Sequence, residues 1–160
     1  MDVRVEIARE AGQELVDAFG RLLPQLSSRA EPLRHEAVER MVTSDANTVL
    51  IARSAHGIVG TLTLALLPLP SGLRGRIEDV VVDSAARGQG IAGLLIQEAL
   101  RIAEKAGART VDLTSRPDRE AANRLYERLG FHARHSTVYR VEGFPADPAE
   151  KPLPAPAISP

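Results

Sequence analysis

The stretch from Ile77 to Leu95 constrains the fold more than any other part of this sequence. It begins with a run of valines that is typical of a buried strand, continues through a short turn, and then takes up the apolar spacing of an amphipathic helix. Gly88 and Gly90 lie where that helix should begin, and no conventional capping side chain precedes Ile91. A strand followed at once by a helix is a building unit of mixed α/β folds.

The turn that carries Gly88 and Gly90 is suited to an anion. The first N–H groups of a helix have no partner within the helix, and the helix dipole favours negative charge beside them. Glycines let a ligand approach the backbone closely, and Arg87 adds a positive charge. A pyrophosphate would satisfy both demands. The alternative is that the glycines only permit tight packing.

The remaining apolar patterns predict a mixed sheet covered by helices. Strands are indicated at 3–7, 47–53, 57–67, 76–83, 111–113 and 136–141, and helices at 15–26, 32–41, 91–107 and 117–129. Pro32 suits the first turn of the second helix. We therefore expect an α/β (α+β) fold with a mixed, mostly antiparallel sheet and helices on both faces.

Residues 1–143 are predicted to form one domain, and residues 144–160 a Pro-rich tail. A chain of 160 residues is long enough to bury a core of its own. The tail has little apolar surface to bury, so we expect it to be extended.

Composition removes several classes of function. The sequence has no cysteine, which excludes a cysteine acyl-enzyme intermediate and thiolate metal ligands. Its formal net charge is -1 without a basic stripe, so we expect no nucleic-acid partner. The apolar stretch at 58–69 is too short for a membrane span, and we expect a cytoplasmic protein that binds no membrane. His132 and His135 lack a third ligand, so no metal is expected.

Two separated motifs resemble those of the GNAT superfamily of N-acetyltransferases. The first is Arg87-x-x-Gly90-x-Ala92 after the Val-rich strand, and the second is the run EAANRLYERLGF at 120–131. The resemblance covers about residues 3–141. It implies a splayed pair of parallel strands and an enzyme that uses acetyl-CoA as co-substrate without a metal. With no cysteine to form an acyl-enzyme, a primary amine would attack acetyl-CoA directly in a ternary complex.

The resemblance also implies which residues bind the cofactor. Val80, Val81 and Val82 would hydrogen-bond the pantetheine arm through their backbone, as an added strand would. The pyrophosphate would lie on backbone N–H groups of the turn and the first helical residues. These residues are Arg87, Gly88, Gln89, Gly90, Ile91 and Ala92. Asn123 would also bond the cofactor, from the same helical face as Tyr126.

Tyr126 is the predicted general acid, because a phenol can protonate the leaving thiolate of coenzyme A. The alternative for Tyr126 is ordinary core packing against Leu125 and Leu129. A backbone N–H of the strand at 80–82 is predicted to stabilise the oxyanion, since fixed dipoles of this kind often make the largest catalytic contribution.

Glu78 is the predicted general base. Strand alternation places Glu78 on the face of Val80 and Val82, and Asp79 on the opposite face. From the first of these faces Glu78 could deprotonate the amine through a water molecule. The alternative for Glu78 is a solvent-exposed charge or a pair with Arg76.

The acceptor is not identified by the sequence beyond a small-molecule or peptide amine. The segment at 11–43 is expected to select it. The strand at 77–84 also looks like that of glucosamine-6-phosphate N-acetyltransferases, and Arg74 and Arg76 could bind a phosphate. Two alternatives come from other classes: a non-catalytic acyl-CoA-binding or regulatory domain, and a nucleotide-binding protein. A homodimer is expected only by analogy with related proteins.

Overall fold

The fold is built on one five-stranded sheet. The structure, a computed structural model, describes residues 2–148. The strands are β1 Arg4–Ala8, β2 Asn47–Ser54, β3 Gly57–Leu69, β4 Gly72–Val82 and β5 Thr110–Asp112. They lie in the order β1-β2-β3-β4-β5, with the first three pairs antiparallel and the last pair parallel. The prediction of a mixed, mostly antiparallel sheet is confirmed.

Four helices cover the sheet, and a short 3₁₀ turn at Ser84–Ala86 follows β4. The helices are α1 Gln13–Leu26, α2 His35–Thr43, α3 Ile91–Lys105 and α4 Glu120–Arg128. Two of them begin later than predicted. The chain is still extended at Arg34, so Pro32 lies before α2 and not in its first turn. Arg119 donates its backbone N–H to the Arg116 carbonyl across a turn, and α4 starts only after that turn.

The alternation of β2 shows how the sheet separates two apolar clusters. Val49 and Ile51 pack on the side of α1 and α2, whereas Leu50 and Ala52 pack on the side of α3. The first cluster also contains Leu15, Phe19, Leu22 and Val38; the second contains Ile91, Leu95, Ile96, Ala99 and Ala103. Leu125 and Tyr126 of α4, and Leu129 directly after it, are half-buried and pack against this second cluster. Helices therefore cover both faces of the sheet, as predicted.

The strand predicted at 136–141 is absent from the structure. These residues belong to no helix or strand and are exposed, with Val138 at 68% and Tyr139 at 91% exposure. Alternating apolar residues indicate a strand only if a neighbouring strand satisfies the backbone. No backbone hydrogen bond between described residues involves 132–146, so the pattern has no partner among residues 2–148.

Most of the predicted tail, 149–160, lies outside the described residues. Among residues 2–148, no helix combines the length and the apolar character needed to cross a membrane. Within the same residues, no three His, Asp or Glu side chains are grouped closely enough to hold a metal ion.

Candidate functional site

The parallel strands β4 and β5 diverge, so the second half of β4 is paired with β3 alone. β5 pairs with β4 only at Arg74, Gly75 and Arg76. Beyond Arg76, β4 continues to Val82 with β3 on one side and, among the described residues, no strand on the other. The predicted splayed pair is therefore present. Backbone groups along the open edge of this half can hydrogen-bond an extended molecule, as an added strand would.

The first turn of α3 holds a row of backbone N–H groups without protein partners. Gly90 is the N-cap, and no side chain caps the helix. The N–H groups from Gly88 to Gly93 donate no hydrogen bond to any described residue. Exposed donors of this kind at a positive helix end attract an anion.

Gly88 and Gly90 are required by backbone conformation and not by packing. Their φ angles are 77° and 76°, in the left-handed region that other residues avoid. A Cβ added to either glycine would meet no atom within 4 Å. The alternative that these glycines only permit tight packing is therefore wrong. They bend the chain so that the helix-opening amides face open space.

The turn before α3 is fixed by its own Asp83 and by two side chains of α1. The Asp83 carboxylate accepts the Ala85 N–H at 3.1 Å and lies 3.6 Å from the Arg21 guanidinium of α1. Gln25, also in α1, accepts the Ser84 N–H at 2.7 Å. Sequence reasoning missed these residues. The capping preference of aspartate could have found Asp83, but nothing in the sequence links Gln25 to a turn so far along the chain.

Arg87 also braces the turn. Its guanidinium Nε donates to the Val82 carbonyl at 3.3 Å, so the side chain folds back over the end of β4. The Arg87 residue as a whole is exposed. Arg87 therefore holds the turn and adds positive charge where the sequence predicted an anion.

The glycines also have the spacing G-x-G-x-x-G, through Gly88, Gly90 and Gly93. In dinucleotide-binding folds this pattern follows a strand of a parallel sheet. Here β4 is antiparallel to β3 and parallel to β5 over only three residue pairs. The sheet around the glycines is thus not that of a dinucleotide-binding fold.

Tyr126 lies on the helix that packs against the first turn of α3. A Cβ built on Gly93 would lie 3.7 Å from Leu125 Cδ1, so α4 touches α3 beside the uncapped amides. The Tyr126 side chain is half-buried and meets Phe131 edge to face, with ring centroids 6.0 Å apart. Burial raises the pKa of the Tyr126 phenol, an effect that the charge of Arg119 partly offsets.

Asn123 uses its amide within the protein. Its Oδ1 accepts the Ser115 hydroxyl at 2.5 Å, and its Nδ2 donates to the Arg116 carbonyl at 3.1 Å. These bonds tie the loop after β5 to the start of α4. The predicted bond from Asn123 to a cofactor stays a prediction, and the amide has bonding capacity left for it.

A β-bulge in β4 changes where the two carboxylates point. Thr61 pairs with Val81 but Thr63 with Glu78, so two residues of β4 oppose one of β3. As a result Ile77 packs on the α3 side and Val81 on the α1 side, although residues four apart share a face in a regular strand.

The predicted face of Glu78 is therefore wrong. Glu78 lies opposite Thr63, on the face turned away from Ile77, whereas Val80 and Val82 pack on the same side as Ile77. Glu78 accepts a hydrogen bond from Arg76 Nε at 2.6 Å and is 48% exposed. The alternative weighed for Glu78, a pair with Arg76, is what the structure shows.

Asp79 occupies the bulge in a conformation that is uncommon for a residue with a side chain. Its φ is 52°, and its carboxylate makes no hydrogen bond or ion pair with a described residue. Partial desolvation, together with the nearby charge of Glu78, raises the pKa of the Asp79 carboxyl. Two carboxylates thus lie together at the start of the open half of β4.

The splayed strands, the uncapped amides and a half-buried tyrosine on the adjoining helix are the features that the resemblance implied. The family model described as "Acetyltransferase (GNAT) family" matches residues 12–131. The chain belongs to the GNAT acetyltransferase family, as its two motifs implied.

Similar proteins agree with this family. N-alpha-acetyltransferase 30 of Schizosaccharomyces pombe is 43% identical over 68 residues, 42% of this chain and 45% of the relative. An uncharacterised protein of Mycobacterium leprae is 29% identical over 116 residues, 72% of this chain and 32% of the relative. The chain thus matches less than half the length of each curated relative.

Solved structures share the whole fold. A crystal structure described as a transcriptional regulator from Bacillus halodurans C-125 has a TM-score of 0.75 at 30% identity, covering 88% of this chain and 100% of the other. A Trypanosoma brucei acetyltransferase has a TM-score of 0.72 at 27% identity, covering 88% and 99% of the two chains.

Proposed function

We propose that this chain is an N-acetyltransferase that transfers an acetyl group from acetyl-CoA to a primary amine, by direct attack in a ternary complex. The observation that carries the proposal is the row of unpartnered amides at Gly88–Gly93 beside the open half of β4. Acetyl-CoA, when bound, supplies an acetyl group that is activated as a thioester.

The residues present fit the two chemical parts of coenzyme A. A diphosphate needs several N–H donors and positive charge, which the amides of Gly88 to Ala92 and the Arg87 side chain offer. The pantetheine arm carries amides, whose N–H and C=O groups can hydrogen-bond the free backbone groups of a strand edge. The open edge at Val80, Val81 and Val82 leads directly toward the α3 amides.

Tyr126 is proposed to deliver a proton to the departing sulfur. Burial raises the pKa of its phenol, so the hydroxyl keeps its proton at neutral pH. Tyr126 Oη donates no hydrogen bond to any described residue, which leaves the proton available. Val80, Val82 and Tyr126 pack against one apolar cluster, so the phenol lies on the side of the sheet where α3 opens.

Either Glu78 or Asp79 is proposed to take the proton from the amine. Glu78 was predicted for this role, but its carboxylate is held by Arg76. Asp79 has no such partner, and desolvation raises the pKa of its carboxyl, which makes it a better proton acceptor than an ordinary aspartate. We therefore place the base at Asp79, with Glu78 adding negative charge that attracts a cationic amine.

A backbone N–H on the open edge at 80–82 is proposed to stabilise the oxyanion. Such a donor is fixed by the strand and needs no reorganisation during the reaction. The bulge at Asp79 turns the backbone just before these residues, which sets their direction relative to the regular strand.

The acceptor is proposed to be a small-molecule or peptide amine that approaches between β4 and the α1–α2 side. The match to an N-alpha-acetyltransferase of Schizosaccharomyces pombe favours a peptide amine. An amino-sugar phosphate has less support, since Arg76 pairs with Glu78 and Arg74 lies 3.8 Å from Asp112. A cytoplasmic location, without nucleic-acid or membrane partners, remains part of the proposal.

A non-catalytic acyl-CoA-binding or regulatory domain is the second candidate. The description of the Bacillus halodurans structure as a transcriptional regulator favours it. Such a domain would need the α3 amides but would have no use for a phenol beside them.

Replacing Tyr126 with Phe separates the two candidates. For the enzyme, turnover in an acetyl-CoA consumption assay with amino sugars, polyamines, amino acids and peptides falls by about 10²-fold or more, because general acid catalysis contributes that much. Affinity for coenzyme A, measured by calorimetry, stays the same. The matched control is Tyr139→Phe, which removes the hydroxyl of the chain's other tyrosine, 91% exposed. Coenzyme A binding without wild-type turnover of any acceptor would favour the regulatory domain.

A further inference from the structure

Arg76 lies at the point where β4 and β5 separate, which we call the fork. It is the last residue of β4 that pairs with β5, opposite Asp112, and Glu78 follows on the open half. The Arg76 guanidinium spans the fork with two hydrogen bonds. Its Nε donates to the Glu78 carboxylate at 2.6 Å, and its Nη2 donates to the Thr114 hydroxyl at 2.7 Å. One side chain thus links the open half of β4 to the loop that follows β5.

These two bonds hold the guanidinium in one orientation within reach of solvent. A guanidinium is planar and its donors have fixed directions, so the bond to Thr114 restricts how Arg76 meets Glu78. The Arg76 side chain is 35% exposed and the Glu78 side chain 48%, so a ligand can approach both. An ion pair this exposed contributes little to stability. Its main effect is on the charge that a ligand meets at the fork.

The charged side chains around the fork pair with one another and leave one carboxylate over. Alternation puts Arg74, Arg76 and Glu78 on one face of β4, the face turned away from Ile77. The Arg74 guanidinium lies 3.8 Å from the Asp112 carboxylate, so each of the two arginines offsets one acid. Asp79 alone has no hydrogen bond or ion pair within the described part of the chain. An amine that enters here therefore meets one unpaired carboxylate.

We propose that Arg76 determines which amines the site accepts: it offsets the charge of Glu78 and so removes the advantage that a second positive charge on the acceptor would have. The inference rests on the proposed acetyl transfer, with the acceptor amine at Asp79. A diamine placed there brings a second ammonium group to Glu78, where it meets a carboxylate that is already paired and a guanidinium of its own sign. The acceptor class is therefore an amine with no second cation close by, such as the α-amine of a peptide with neutral neighbouring residues.

Binding of two matched amines in the presence of coenzyme A tests this role without turnover, because coenzyme A has no acetyl group to transfer. The probes are butylamine and putrescine, which share a carbon chain and differ by one amino group. We expect Arg76→Gln to raise the affinity for putrescine relative to butylamine by about fivefold, the effect of one exposed ion pair. Arg76→Lys keeps the positive charge and should keep the wild-type ratio. Each ratio compares two ligands on one protein, so a change in the folded fraction cancels.

Arg74→Gln is the matched control for Arg76→Gln. It removes the same charge from the same face of β4 but releases Asp112 and not Glu78, so the ratio should change little. The double variant Arg76→Gln/Glu78→Gln should return the ratio to the wild-type value, because the gain depends on the released Glu78 carboxylate.

Three results would overturn the role of Arg76: an unchanged ratio in Arg76→Gln, an equal rise in Arg74→Gln, or a rise that persists in the double variant. Turnover measured with the same two amines and acetyl-CoA separates this role from the proposed function. If neither these nor other amines are acetylated, the proposed function fails, while the binding ratios still decide whether Arg76 offsets the charge of Glu78.

Discussion

The two halves of β4 differ although they belong to one continuous strand. The first half, Gly72–Arg76, has β3 on one side and reaches β5 on the other. The second half, Ile77–Val82, has β3 alone, contains the bulge, and leads into the uncapped turn of α3. The first half of β4 is held by packing against the strands on either side of it. The second half has unusual backbone conformations, and its outer edge has backbone N–H and C=O groups that no described strand pairs with.

Glycines mark the same difference. A Cβ on Gly75, in the paired half, would lie 3.1 Å from Val111 Cγ2, so this glycine lets two strands approach. A Cβ on Gly90, after the open half, would meet nothing, and the glycine is there because φ is 76°. Substitutions in the two halves should therefore affect different properties: stability in the first, ligand binding and turnover in the second.

The largest expected effect is that of Asp79→Asn in the open half. Turnover should fall by about 10²-fold if Asp79 is the base. Asparagine tolerates the left-handed conformation, so the strand should keep its shape. Steady-state kinetics check the prediction. Glu78→Gln is the matched control and should reduce turnover less, because the Glu78 carboxylate is already hydrogen-bonded to Arg76. A larger loss of turnover in Glu78→Gln than in Asp79→Asn would mean that Glu78 is the general base.

The stability of Asp79→Asn should change in the opposite direction from its activity. The folded chain raises the pKa of Asp79, so the ionised carboxylate destabilises the fold. That penalty is absent below the pKa of the unfolded chain and complete above the pKa of the folded one. The variant should therefore melt slightly higher than wild type at neutral pH, and the gain should shrink as the pH falls and be lost below the unfolded-chain pKa of about 3.9.

Gly75→Val tests the paired half. The added side chain would enter the space occupied by Val111 and Leu64, and overpacking of this kind costs about 2 kcal/mol of unfolding free energy. Chemical denaturation measures the loss. The dissociation constant for coenzyme A should remain close to that of the wild type. If Gly75→Val kept its stability but no longer bound coenzyme A, the proposed difference between the two halves of β4 would be wrong.

Gly90→Ala should show the reverse pattern. A Cβ at residue 90 would meet no neighbouring atom, but the left-handed conformation is unfavourable for alanine, so the residue can leave it when no ligand is bound. Binding must then restore a conformation that costs about 1–2 kcal/mol, which weakens coenzyme A binding by roughly tenfold. Calorimetry measures this change. Unchanged affinity would mean that the turn conformation plays no part in holding the cofactor.

The sequence predicted the features that depend on local pattern. The β-branched and leucine residues at 47–53 and the helical spacing after Ile91 identified β2 and α3, and the glycines after the Val-rich strand identified the turn. Each of these patterns lies within a short stretch of sequence, because it reflects which side of a single helix or strand faces the core.

Features that depend on distant residues could not be predicted. The bulge at Asp79 exists only in the register of β4 against β3, so the prediction that Glu78 shares a face with Val80 and Val82 was wrong. Gln25 reaches Ser84 across the fold, and no local pattern marks that bond. The strand predicted at 136–141 was wrong: the residues have a strand-like pattern, but no described residue pairs with their backbone.

The central claim is that the amides at the start of α3 hold the diphosphate of coenzyme A. Titrating ¹⁵N-labelled protein with coenzyme A and recording the amide resonances tests it directly. We predict that the largest shifts fall on Gly88, Gly90 and Ala92, while the paired half of β4 around Gly75 changes little. Saturable binding that leaves these amides unmoved, or no binding at all, would contradict the claim.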